Sequence, residues 1–256
     1  MKHDWLVRTE AIIGIDSLNN IRNSKISIIG LGGVGSYAAE AIARAGVNHL
    51  QLIDYDTVSI NNINRQLLAL HSTIGQKKTE VMKKRILDIN PEAEVNLFSD
   101  FFCKANRLDV LKKSDYIIDA IDSLGPKMGM IKDLCGLNLP FISVLAAGNR
   151  INQESIKISS IWNTEGCPFA KRLKKLLRRN NITQDFPVVY SDEVPIPPLK
   201  SNYIEQNKSS LDTPIPKSLV GSISYMPAIM GLMAAGFIIQ LIINTHFIEK
   251  NKINKE

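Results

Sequence analysis

Apolar side chains recur at helical spacing within residues 10–22, at Ile12, Ile13, Leu18 and Ile21. Lys25 to Ile29 then reads as a buried parallel strand. A small-residue helix, Ser36 to Ala45, ends at Gly46, a residue suited to a helix C-terminus. Leu50 to Ile53 is a second strand, an irregular stretch runs to Leu70, and a helix from about Gln76 to Ile89 stops before Asn90-Pro91. Val95 to Phe98, Tyr116 to Ala120 and Phe141 to Ala146 are further strands with helices between them. This alternation predicts an α/β fold with a doubly wound, mostly parallel sheet.

Beyond Ile151 the pattern changes. Ile156, Ile158 and Ile161 predict an antiparallel edge strand, and a short basic helix follows Pro168. Phe186 to Pro216 holds six of the eleven prolines without helical period and reads as a long irregular loop. Ala228 to Ile243 is almost wholly apolar; at sixteen residues, including Gln240, it falls short of the roughly twenty that cross a bilayer. A buried core or dimer-interface helix is the preferred reading, and extension back to Leu219 keeps a membrane anchor as the alternative. The expectation is one Rossmann-like domain over residues 1–256: a core of 1–150, a basic helix and Pro-rich loop over 151–218, and an apolar helix and tail over 219–256.

Composition adds little to this picture. Hydrophobic content of 45% and charged content of 22% are those of a soluble globule, and a net charge of +6 permits a polyanionic partner without demanding one. The distribution is more telling, since six of the nine residues from Lys171 to Arg179 are Lys or Arg. Cys103, Cys135 and Cys167 lack C-x-x-C spacing, which argues against a thiolate zinc site, and their odd number argues against a disulfide scaffold. Met1 to Trp5 has no apolar stretch of the secretory kind, so a cytoplasmic location is expected.

Candidate chemistry begins where the first strand ends, at Gly30-Leu31-Gly32-Gly33-Val34-Gly35. Such glycines let backbone approach a phosphate, and the helix that follows offers unpaired N–H groups and a positive dipole end. Asp54 closes the second strand, where a carboxylate can accept ribose hydroxyls or cap the next turn. Arg65 and Lys78 flank a His-Ser-Thr-Ile-Gly turn amid Asn62, Asn64 and Gln66, and both can neutralise a departing pyrophosphate; the alternative is solvated surface charge. Asp122 lies past the carboxyl end of another strand and can hold Mg²⁺ on phosphate oxygens, while Asp119 can be structural. Ser123 and Lys127 open the next helix, in capping or substrate contacts, with capping preferred for Ser123.

G-x-G-G-V-G-S at Gly30, D-x-D-x-V-x-x-x-N-x-x-R-Q at Asp54, G-x-x-K at Gly75 and D-A-I-D-S at Asp119, in this order, resemble the ubiquitin-activating-enzyme-like adenylating family. Within it, Arg8 to Gly14, Cys167 to Arg172, Val189 to Glu193 and Gly221 to Pro227 resemble the members that act on threonylcarbamoyladenosine in tRNA. The resemblance covers nearly the whole chain. It implies ATP and Mg²⁺ as cofactors, tRNA as substrate, and cyclisation of a threonylcarbamoyl group beside the anticodon through an acyl adenylate. It implies a nucleotide pocket of Gly30, Gly32, Gly33, Val34, Gly35, Asp54, Asp56, Asn62, Arg65, Gln66 and Lys78, with Arg65, Lys78 and Asp122 serving phosphates and metal. Arg8 matches an arginine that relatives extend into the partner subunit's site, which implies a homodimer; a sulfur-transfer partner protein is a further partner the resemblance allows.

Some relatives carry a cysteine just before the segment matching Val189-Tyr190-Ser191, where this chain has Pro187 and Val188. Cys167 is the candidate replacement, because Pro168 would place it at a helix N-cap near cations; a bystander thiol is the alternative. Lys171, Arg172, Lys174, Lys175, Arg178 and Arg179 are candidate tRNA-phosphate contacts or a solvated helix face. Three other functions stand beside the main one: adenylation of a ubiquitin-like sulfur carrier, nicotinamide-dependent dehydrogenation, and tRNA binding without catalysis.

Overall fold

The computed structural model describes residues 4–197 and 220–253. One seven-stranded sheet in the order β3-β2-β1-β4-β5-β7-β6 organises them. Its strands are β1 (Lys25–Ile29), β2 (His49–Ile53), β3 (Glu94–Phe98), β4 (Tyr116–Asp119), β5 (Phe141–Val144), β6 (Ile156–Ser160) and β7 (Pro187–Ser191). All neighbours pair parallel except β6 with β7. Chain order runs outward from β1 to β3 and then returns to β4 on β1's other side. The carboxyl ends of β1 and β4 therefore border the crevice where open α/β sheets take their ligands.

Helices α1 (Val7–Asn23), α2 (Gly35–Arg44), α3 (Lys78–Ile89) and α7 (Tyr225–Ile253) contribute to one apolar core. A second core gathers α4 (Arg107–Leu111), α5 (Leu124–Leu137) and α6 (Pro168–Arg179). β1 is buried at four of its five positions, Ile26, Ile28 and Ile29 together with Ser27, as a strand covered on both faces must be.

Three expectations change. Pro187–Ser191, expected within an irregular loop, is an interior strand: Val188 and Val189 pair with Ser143 and Val144 of β5, and β6 pairs with β7 rather than with β5. Proline is tolerated there because it is the strand's first residue. Of the rest of the expected loop, 192–197 is irregular and 198–216 lies outside the described residues. Secondly, the apolar face expected over residues 10–22 is broken at Gly14, whose φ of 78° interrupts α1; Leu18 and Ile21 are buried, whereas Ile12 is 86% exposed. Thirdly, α7 exceeds the expected sixteen residues, and Tyr225–Asn244, with mean hydropathy 2.1, is long and apolar enough to cross a membrane. Packing, rather than length, favours a core helix. Met226, Met230, Ala234, Ala235, Ile238 and Ile242 are buried along one side, and α7 lies against α2, α1 and β5. Gly231 touches the start of α2 so closely that a Cβ there would sit 2.3 Å from the Val34 carbonyl oxygen.

Candidate active site

A cleft of about 760 Å³ opens at the crevice between β1 and β4. Its floor is the glycine turn. Gly30 has φ +89°, and a Cβ there would lie 2.8 Å from the Ala120 carbonyl oxygen; one on Gly35 would lie 1.7 Å from the carbonyl oxygen of Gly30. These two glycines let the turn close on itself and on the β4 exit. Gly33 packs beneath the Pro227 ring, while Gly32 faces open space near the Gln66 side chain. The Ser36 hydroxyl donates to the Gly32 carbonyl at 2.7 Å and accepts the Leu67 N–H at 3.1 Å, which joins the turn to the Arg65–Gln66 segment.

Asp54, at the end of β2, accepts the Leu31 N–H at 2.6 Å and the Asp56 N–H at 2.9 Å. Burial raises its pKa, and the opposing attraction of Lys78 with these two N–H bonds offsets that only in part. Lys78 is buried, donates to Asp56 Oδ2 at 2.8 Å and stands 4.0 Å from Asp54 Oδ2. One ammonium thus serves two carboxylates at the cleft wall. Arg65 is held by the Asn61 carbonyl at 2.8 Å and the Asn64 Oδ1 at 2.9 Å. The buried Asn62 side chain accepts the Ser59 N–H, closing the short helical turn that presents Arg65. Gln66 Oε1 is the one buried side-chain polar atom without a partner among the described residues. Gln66 itself lines the cleft, so this unpartnered amide stands at the site.

Asp122 is exposed on the opposite wall. Among the described residues no group of three or more His, Cys, Asp or Glu could hold a metal. A single carboxylate fits Mg²⁺ only when the ligand supplies further oxygens, which a polyphosphate does. The cleft therefore unites Gly30, Gly32, Gly33, Val34, Asp54, Asp56, Asn62, Arg65, Gln66, Lys78 and Asp122.

Ser123 also lines the cleft, and the remaining candidates lie elsewhere. Ser123 occupies the N-cap position of α5 but its hydroxyl makes no capping bond, and Lys127 is completely buried, bonded to Asp119 and away from any substrate. Cys167 is at the N-cap of α6 as expected, yet it is buried outside the cleft, 3.4 Å from Arg150 Nη2. Along α6, Ala170, Leu173 and Leu177 face the core, while Lys171, Arg172, Lys175 and Arg179 are exposed. Lys174 instead donates to the Thr164 carbonyl at 2.7 Å, and Arg178 lies over the Trp162 ring at 5.2 Å. Arg8 is exposed on α1.

Sequence reading did not anticipate the aromatic pair at the cleft's edge. Tyr55 and Phe101 meet edge to face at 5.2 Å, and both are exposed. Their position just past the carboxyl ends of β2 and β3 was the available signal. Nor did it anticipate the wall formed by Ala146, Ala147 and Gly148, with Phe169 from α6 beside it.

The ThiF family model matches residues 6–255. The tRNA threonylcarbamoyladenosine dehydratase of Bacillus subtilis (strain 168) is 36% identical over 233 residues, which span 91% of this chain and 92% of that protein. The enzyme of the same description from Escherichia coli (strain K12) is 37% identical over 182 residues, 71% of this chain and 66% of that protein. The solved structure of E. coli tRNA N6-threonylcarbamoyladenosine dehydratase in complex with ATP superposes with a TM-score of 0.83 at 29% identity, covering 96% of this chain and 98% of that one; the AMP complex gives 0.84. By the breadth of these matches, the chain belongs to the ThiF family.

Proposed function

We propose that this chain binds ATP and uses it to dehydrate threonylcarbamoyladenosine in tRNA to a cyclic product. The observation that carries the reading is the convergence of the glycine turn, the Asp54–Lys78–Asp56 cluster, Arg65 and Asp122 on one cleft, in a chain whose relatives of that description align along nearly its full length. In this reading the triphosphate lies over Gly32 to Gly35 with the ribose toward Asp54. Arg65 and Lys78 stabilise negative charge that develops on the departing pyrophosphate as the substrate carboxylate attacks the α-phosphate. Asp122 would be the residue to hold Mg²⁺, which would supply further charge neutralisation. The acyl adenylate is then closed by an internal nucleophile of the same substituent and AMP leaves; such intramolecular attack gains up to about 7–11 kcal/mol from proximity.

The exposed cations of α6 support the tRNA assignment, because Phe169 in the same helix borders the cleft and the helix extends away from it. The direct test incubates the protein with ATP, Mg²⁺ and threonylcarbamoylated tRNA and weighs the released nucleoside. Loss of one water is expected; an unchanged mass in protein that binds ATP overturns the reading. In the same assay, neutralising Lys171, Arg172, Lys175 and Arg179 raises the KM for tRNA and flattens its salt dependence by roughly 0.7–0.9 per lost phosphate contact.

A homodimer completes this proposal. Arg8 stands among the exposed apolar side chains Trp5, Val7, Ile12 and Ile15, a patch that a second copy would cover. If Arg8 acts across the interface, two inactive chains, Arg8→Ala and Lys78→Ala, recover activity when mixed and allowed to exchange, since each mixed dimer holds one intact site. No recovery in verified mixed dimers counts against the crossing.

A further inference from the structure

Beneath the cleft wall, in a region without solvent, lies an ion pair that the proposed chemistry leaves unused. Lys127 of α5 has no exposed surface and its three ammonium protons have three acceptors: Asp119 Oδ2 at 2.6 Å, Ser143 Oγ at 3.1 Å and the Val144 carbonyl at 2.9 Å. Ser143 donates its own proton to Asp119 Oδ2 at 2.6 Å. The other oxygen, Asp119 Oδ1, accepts the Ile121 N–H at 3.0 Å.

Each member holds a piece of the cleft. Ile121 immediately precedes Asp122, Val144 begins the wall that continues to Gly148, and Ala120 between them presses on the glycine turn at Gly30. The network therefore reaches from α5 through the end of β4 to the end of β5, and the Asp122 loop is its only branch that carries a free carboxylate into the cleft. A fully buried ion pair is weak evidence of stability, because an apolar replacement of equal volume commonly holds a fold as well. Its value here lies in direction: three bonds at fixed angles determine where the β4 exit points, which apolar packing does not do. Burial also lowers the Lys127 pKa, and the Asp119 charge opposes that shift.

We infer that Lys127, Asp119 and Ser143 form a positioning unit that fixes the Asp122 loop against the glycine turn, and that the unit sets the rate of adenylation without touching substrate. The inference rests on the proposed role of Asp122, so the experiment separates the two.

Ser143→Ala is the decisive variant, since it removes two hydrogen bonds while leaving the ion pair in place, and the fold is expected to survive. A second variant, Asp119→Asn with Lys127→Met, removes both charges together. In folded Ser143→Ala protein, AMP binding measured by calorimetry without Mg²⁺ stays within twofold of the parent. The Mg²⁺-dependent gain in ATP affinity shrinks several-fold, and kcat falls at least tenfold with KM for ATP changed less than threefold. Parental kcat and Mg²⁺ response in folded Ser143→Ala, while Asp122→Ala is inactive, overturns the inference and leaves the site assignment standing. Parental turnover in Asp122→Ala overturns the site assignment itself. If the charge-free double variant keeps the parental Mg²⁺ response, the unit has no positioning role.

Discussion

Lys78→Ala is expected to lower turnover about a hundred- to a thousandfold, the loss typical when one preorganised donor to a developing negative charge is removed. The geometry explains why neighbours would not compensate. Arg65 is tied to the Asn61 carbonyl and Asn64, on the other side of the short turn, and no other cation lines the cleft among the described residues. The same substitution leaves the carboxylates of Asp54 and Asp56 facing each other without their shared ammonium. Asp54, already raised by burial, then rises further, because the strongest influence holding it down has gone. A carboxyl group whose pKa is raised by folding favours the protonated fold. Its contribution to stability is complete below the ordinary carboxylate range, about pH 4, and is lost as pH climbs through the folded value. The gap in Tm between parent and Lys78→Ala is therefore expected to be small near pH 4 and to widen as pH rises. Turnover within threefold of the parent in folded protein would remove Lys78 from the mechanism, and a gap independent of pH would remove its partnership with Asp54.

Gly35→Ala is expected to cost at least about 3 kcal/mol, the upper part of the range for overpacked sites, and to lower Tm by on the order of ten degrees. The added methyl group would stand 1.7 Å from the Gly30 carbonyl oxygen and 3.3 Å from the Ala120 side chain. Relief requires α2 to withdraw from the turn, so ATP affinity falls along with stability. Gly136→Ala supplies the contrast. It sits within α5 with nothing within 4 Å of the new Cβ, and there alanine is expected to stabilise by about 0.4–1 kcal/mol. Thermal melts of the two variants, with and without nucleotide, check both statements; equal Tm values would sink the steric account.

The parts of the site readable from the sequence were those fixed by local backbone chemistry. Gly30, Asp54 and Asp122 each stand at or just past a parallel strand's carboxyl end, and strand runs as apolar as Lys25 to Ile29 announce themselves. Contacts made at long range were not readable. Lys127 looked like a helix-opening cation, but its three acceptors come from two strands, one of them sixteen residues away. Pro187–Ser191 escaped notice because a strand inserted between β5 and β6 is specified by partners on both sides, while its own sequence lies in a proline-rich stretch. Cys167 shows the opposite case: its N-cap position was correctly placed from Pro168, yet position on a helix said nothing of its distance from the cleft.

The ring of Pro227 lies over Gly33, and Gly231 abuts the carbonyl of Val34, so α7 braces the very turn that the first strand introduces. During synthesis on the ribosome, that brace emerges only after every strand has done so. A nascent chain halted before residue 225 would present α2 with an uncovered greasy flank and a slack phosphate loop. Nucleotide capture is thus expected only once α7 has been made and has packed against the turn, and chains that stop before it are expected to be poor consumers of ATP.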